Sequence, residues 1–213
     1  MWAQRWRCQA LIAACLLVAA ATLSVLAALF DRLPGGLAIS REVQTWTFLA
    51  AVAPPARLLS EVRLLIPVGL ALAGVFWLKG HAGAAFRLLV VVIALQPVQM
   101  ALKESVDRPR PPPTLVEIRA EGSSPSFPAG HVFAPTLFYG SLAVLAHREG
   151  VRAGLAKALG GFALSILILS GPVNVHLGVH WPSDVLGGYL WGLALVTTLW
   201  TWLLPKAASS AAS

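Results

Sequence analysis

Five residues of this chain have the types and settings to do chemistry: Lys103, Arg110, His131, His180 and Asp184. Each falls at or beside the end of a strongly apolar segment, and ionisable groups at such boundaries are functional-site candidates. Lys103 and Arg110 belong to Lys103-Glu-Ser-Val-Asp-Arg-Pro-Arg-Pro111, a proline-stiffened segment that can hold two cations against an anion. Arginine supplies planar bidentate donors there and lysine a point charge. The plainer reading is a lysine anchored at the interface beside ordinary loop charges.

Two further clusters carry the histidines. Ser126-Phe-Pro-Ala-Gly130-His131 leads straight into an apolar segment. Gly130 permits close backbone approach, and the first amides of a helix lack internal partners, so this turn suits an anion within reach of His131. A histidine at a helix start also serves simply as a cap or interface residue. In His176-Leu-Gly-Val-His180-Trp-Pro-Ser-Asp184-Val-Leu-Gly-Gly188, Pro182 fits a first helical turn and the four-residue spacing lets Asp184 approach His180. A carboxylate on one imidazole nitrogen fixes the tautomer and leaves the other nitrogen free as base or nucleophile. The competing reading is an aspartate that only caps the helix.

The elements that must position these groups are set by the solvent. The 213 residues are 57% hydrophobic and 12% charged, about half the charge of an ordinary soluble domain, so the bilayer is the main solvent. A spanning helix needs about 20 predominantly apolar residues, and six stretches approach that: 8–30, 64–78, 82–102, 131–146, 153–170 and 185–204. None alternates in polarity, so they satisfy their backbone groups as helices and not as barrel strands. The expectation is an all-α, six-transmembrane-helix bundle forming a single domain over 1–213, with the site between 103 and 188 and a flexible tail at 205–213. The first apolar run is too long for a signal peptide and is read as a retained helix.

Formal net charge is +7. The basic residues lie singly in loops without interleaved aromatics, which argues against nucleic acid and for anionic lipid head groups or phosphate-bearing substrates. Cys8 and Cys15 have no metal or disulfide spacing and read as small packing residues. With the site cations Lys103, Arg108 and Arg110 set aside, more Lys and Arg fall on the side of the N-terminus, which predicts both termini in the cytoplasm and the site outside. Between the first two spans, residues 40–63 predict an interfacial helix ended by Pro54-Pro55. Trp2, Trp6, Trp77, Trp200 and Trp202 fit an inner aromatic belt, and Trp46 and Trp181 an outer one.

Taken together, these residues resemble the type 2 phosphatidic acid phosphatase (PAP2) superfamily, which includes membrane lipid phosphatases and shares its site with vanadium haloperoxidases. The family's first motif, K-x6-R-P, matches Lys103, Arg110 and Pro111. Its second, P-S-G-H, appears as Pro128-Ala129-Gly130-His131. Its third, S-R-x5-H-x3-D, matches His180 and Asp184 but has Val173 and Asn174 in place of its serine and arginine. The resemblance implies a PAP2/haloperoxidase-like helical core and hydrolysis of a lipid phosphate monoester or pyrophosphate, without metal or other cofactor. It assigns His180 as nucleophile, Asp184 as its orienting carboxylate and His131 as general acid, with Lys103, Arg110 and Gly130 on the phosphate and Asn174 beside it. Ala129 and Asn174 remove a hydroxyl and a cation, for which Arg108, Ser126, Asn174 and His176 are the candidate substitutes. A catalytically impaired anionic-lipid binder and a lipid phosphotransferase are the alternatives to a phosphatase.

Overall fold

The computed structural model describes residues 2–149 and 151–203. Eight α-helices follow one another: α1 (Trp2–Leu29), α2 (Gly36–Gln44), α3 (Phe48–Ser60), α4 (Val62–Leu78), α5 (Ala82–Val106), α6 (Gly130–Arg148), α7 (Ala153–His176) and α8 (Pro182–Thr198). A π-helical turn over Leu199–Leu203 continues α8. The described residues contain no strand, and the flexible tail expected at 205–213 lies outside them.

All six apolar stretches form helices over nearly all of their described residues, but they are not equally suited to lipid. Segments Arg7–Leu29, Ala82–Val106 and Ala153–His176 are long and apolar enough to cross a membrane, and α3 with α4, bent by 49°, makes a fourth candidate. By length and composition the described residues therefore hold three to four such spans. The expected spans in α6 and α8 do not qualify: α8 has only 17 residues, and the position of α6 explains its lower hydropathy. α6 packs on α5, α7 and α8, and most of its residues are buried, Thr136, Tyr139 and Ser141 among them. A helix sheathed by protein does not need an apolar outer face, so its mean hydropathy can fall.

The connection between α1 and α4 differs from the single interfacial helix expected. It forms two helices, and Pro54 and Pro55 lie inside α3 instead of ending it. Both prolines are exposed, whereas Leu49, Ala53, Ala56 and Ser60 form the buried side, so the prolines remove backbone hydrogen bonds without disturbing the packed face. The helix stops at Glu61, whose extended backbone (ψ 124°) starts the bend into α4. α3 packs on α7 and α6, and the Tyr139 hydroxyl of α6 donates to the Leu59 carbonyl at 2.9 Å.

The belt tryptophans are not all exposed. Trp46 and Trp77 are exposed, but Trp181 and Trp200 are buried. Trp200 Nε1 donates to Ser141 Oγ at 3.2 Å, and the Arg87 and Arg148 guanidinium groups sit over its ring. Burial with a satisfied indole N–H and two cations on the ring face makes it a core residue. Cys8 and Cys15 are exposed on α1 and do not pack inside.

Glycine lets α8 lie close against α6. A Cβ at Gly188 of α8 would lie 2.9 Å from the Ala129 carbonyl oxygen and 3.1 Å from Phe133 N, and one at Gly192 would lie 2.6 Å from Thr136 Cβ. Small residues let the two backbones approach where neither has a hydrophobic drive to leave lipid. Gly188→Val is expected to lower stability by about 1–3 kcal/mol through overpacking, read as reduced thermal or denaturant stability in detergent. A surface control such as Gly154→Ala, with nothing within 4 Å of its Cβ, should change it by less than about 0.5 kcal/mol.

Candidate active site

The site is assembled on Asp184, in the first turn of α8 and fully buried. Its Oδ1 accepts from Arg108 Nη1 at 2.6 Å, and its Oδ2 accepts from Ser126 Oγ at 2.5 Å and the Trp181 amide at 2.7 Å. Its backbone carbonyl accepts from the Ala129 amide at 2.9 Å. Arg108, also buried, donates further to Ser183 Oγ at 2.7 Å and the Phe30 carbonyl at 3.3 Å. One carboxylate thus joins the loop after α5, the loop before α6 and the start of α8. A buried charge is tolerated when it is paired and its remaining lone pairs are satisfied, and both conditions hold here.

His180 lies in the short connection between α7 and α8, 3% exposed. Its Nδ1 is 3.7 Å from Asp184 Oδ2 and 3.4 Å from Ser126 Oγ. The first is an ion-pair distance and not a hydrogen bond, so Ser126 stands between carboxylate and imidazole as a bridge. Nε2 has no partner among the described residues and belongs to a residue that lines a cavity of about 680 Å³. Burial pushes the His180 pKa down to about 4, against the raising effect of Asp184 and with the help of Arg110 and Lys103. The imidazole is therefore neutral near pH 7, the state in which Nε2 has a lone pair to offer.

Across the same cavity stand His131, Arg110 and Arg57. Arg110 is held by Ser124 O (from Nε, 2.9 Å) and Val179 O (from Nη1, 2.7 Å). Burial depresses its pKa, Asp184 opposing and Arg57 adding to the shift. His131 Nε2 lies 3.3 Å from Glu61 Oε2, at the bend between α3 and α4. His131 also borders a second cavity of about 310 Å³ that Glu61, Gln99 and Gly130 share.

His131, His180, Asp184 and Arg110 thus come together as one constellation. Lys103 lies outside the cavity lining: it is 2% exposed, donates to the Pro125 carbonyl, and acts on His180 and His131 by charge. Gly130 faces the second cavity, where the Gln99 amide would be 2.6 Å from a Cβ. Asn174 does not line either cavity. Its amide donates to Ser170 O at 2.7 Å within α7, and its buried Oδ1 has no partner among the described residues. The sequence reading missed Arg57 and Glu61. The available signal was a pair of charges four residues apart between the apolar runs of α3 and α4.

A bundle of apolar helices with a neutral histidine, a buried carboxylate behind it and a second histidine across a cationic cavity defines a helical integral membrane protein built to handle an anion. The PAP2 superfamily model matches residues 84–207, more than half of the chain and all of the site except the α3–α4 bend, so the chain belongs to the PAP2 superfamily. It is similar to the crystal structure of the first transmembrane PAP2 type phosphatidylglycerolphosphate phosphatase from Bacillus subtilis: TM-score 0.71 and 25% identity over 84% of this chain and 91% of that one. No curated protein matches the chain.

The Arg108–Asp184 pair gives a direct test. Arg108→Met leaves the carboxylate buried without its cation and should lower stability by about 3–5 kcal/mol. Arg108→Met/Asp184→Leu, which removes both charges, should recover part of that loss in the same unfolding measurement.

Proposed function

We propose that the chain is a phosphatase of lipid phosphate monoesters or pyrophosphates that works through a phosphohistidine. The observation that carries this reading is His180: neutral, with Nδ1 turned to Ser126 and Asp184, Nε2 unpartnered among the described residues, and two arginines and a second histidine around the same cavity. Nε2 attacks phosphorus, the N–P bond forms and the P–O bond to the leaving group breaks. His131 gives its proton to the departing oxygen. The dephosphorylated lipid leaves at this step; water then attacks phosphorus and passes a proton to His131, and cleavage of the N–P bond releases inorganic phosphate and restores His180. Arg110, Lys103 and the Gly130 amide stabilise charge on the non-bridging oxygens, with Asn174 at the position of the third-motif arginine.

The rest of the reading concerns setting and substrate. One domain would span residues 1–213 in a bacterial inner or plasma membrane, its site facing the periplasm or exterior, as the Lys and Arg distribution favours. The B. subtilis neighbour, a phosphatidylglycerolphosphate phosphatase, puts phosphatidylglycerol phosphate first among candidates, followed by phosphatidate and undecaprenyl pyrophosphate.

Purified protein incubated with these three lipids should release inorganic phosphate from at least one, and His180→Ala should abolish that release. Release at the wild-type rate in His180→Ala would remove the nucleophile assignment. Lipid binding without release from wild type would instead select the impaired anionic-lipid binder, and label recovered on a second lipid would select a phosphotransferase.

The depressed His180 pKa adds a pH prediction. Protonation of Nε2 removes the nucleophile, so activity is kept above the pKa and lost as pH falls through it. The acid limb of kcat/KM, which reports the free enzyme, should lie near pH 4. A limb near the ordinary histidine value of about 6.5 would contradict a buried, neutral His180.

A further inference from the structure

Relative to the family motifs, the site is short of one cation at Asn174 and one hydroxyl at Ala129. None of the substitutes that the sequence offers is free to serve. Arg108 is committed to Asp184 and Ser183, and Ser126 gives its proton to Asp184. The Asn174 amide is spent on Ser170, and His176 sits between the Val43 carbonyl and Arg119. Arg119 also holds Gln44 O and the Glu117 carboxylate.

Arg57 is differently placed. It lies in the last turn of α3 and lines the cavity with Arg110, His131 and His180. Among the described residues it makes no hydrogen bond and no ion pair. An unpaired cation facing a cavity among membrane helices calls for an anion. The helix that carries it is fixed: Ala53, Ala56 and Ser60 are buried beside it, and the Tyr139 hydroxyl holds the Leu59 carbonyl.

We infer that Arg57 is a phosphate-binding residue of this site, whose guanidinium takes non-bridging oxygens of the lipid phosphate from the α3 side and replaces the cation missing at position 174. The same charge is thus supplied from a different helix. This rests on the phosphatase reading above, but it makes a separate claim about anion binding.

The test uses the full-length protein in detergent micelles. With the lipid that wild type turns over, Arg57→Gln should lower kcat/KM by about 100- to 1000-fold, the usual effect of losing one preorganised donor. Arg57→Lys, which keeps the charge without the fork, should fall between the two. Adding Asn174→Arg to Arg57→Gln should restore kcat/KM about tenfold or more, and should gain less in wild type, because the two cations are substitutes. Calorimetric titration with inorganic phosphate should show binding weakened about tenfold or more in Arg57→Gln.

Arg57→Gln within about twofold of wild type in both kcat/KM and phosphate binding would overturn the inference. So would a loss of activity with unchanged phosphate binding and no rescue by Asn174→Arg, since that is a structural effect. If Arg57→Gln does not fold, Arg57→Lys decides: phosphate binding equal to that of wild type overturns the proposal, and weaker binding supports it. If wild type releases phosphate from none of the lipids, the phosphatase reading fails, and the inorganic phosphate titration alone judges Arg57.

Discussion

The Asp184 carboxylate, buried and shared between Arg108 and Ser126, is the constraint on which the site depends. Helices α5, α6 and α8 bring the motif segments to one end of the bundle, but packing alone leaves loop ends free to vary. A buried carboxylate does not, because each of its lone pairs must find a donor. Arg108 comes from the segment after α5, Ser126 from the segment before α6, and Trp181 from the connection to α8. Satisfying one group therefore specifies the relative positions of all three, and His180 is placed as a consequence.

That arrangement also separates two jobs that a carboxylate beside a histidine usually combines. At 3.7 Å from Nδ1, Asp184 acts on His180 chiefly through charge and through Ser126. Its own ion-pair partner is Arg108, while the charges of Arg110 and Lys103 oppose its raising effect on the histidine pKa. Burial then prevails, and the imidazole stays neutral.

Helix positions and motif residues were legible in the sequence because both are local: apolar run length and residue spacing carry them. The family pattern located His131, His180, Asp184 and Arg110, which do converge. Side-chain direction was not legible. Arg108 and Arg110 are two residues apart and equally basic, yet one turns inward to Asp184 and the other borders the cavity, a choice made by partners some 70 residues away. Pro54-Pro55 misled for a related reason, since a proline pair ends a helix in water but can sit on the outer side of one that other helices support. Arg57 and Glu61 escaped notice because they lie outside every motif and reach the site only through the fold of α3 against α6 and α7.

The glycine contact between α6 and α8 has a bearing on how such a protein can diversify. His131 lies in the first turn of α6 and His180 just before the start of α8, so the gap between the two histidines follows from how closely those two helices lie. Gly188 and Gly192 fix that closeness at backbone level. The long loop between α5 and α6 can then change its length and charge while the distance between the two histidines is inherited unchanged.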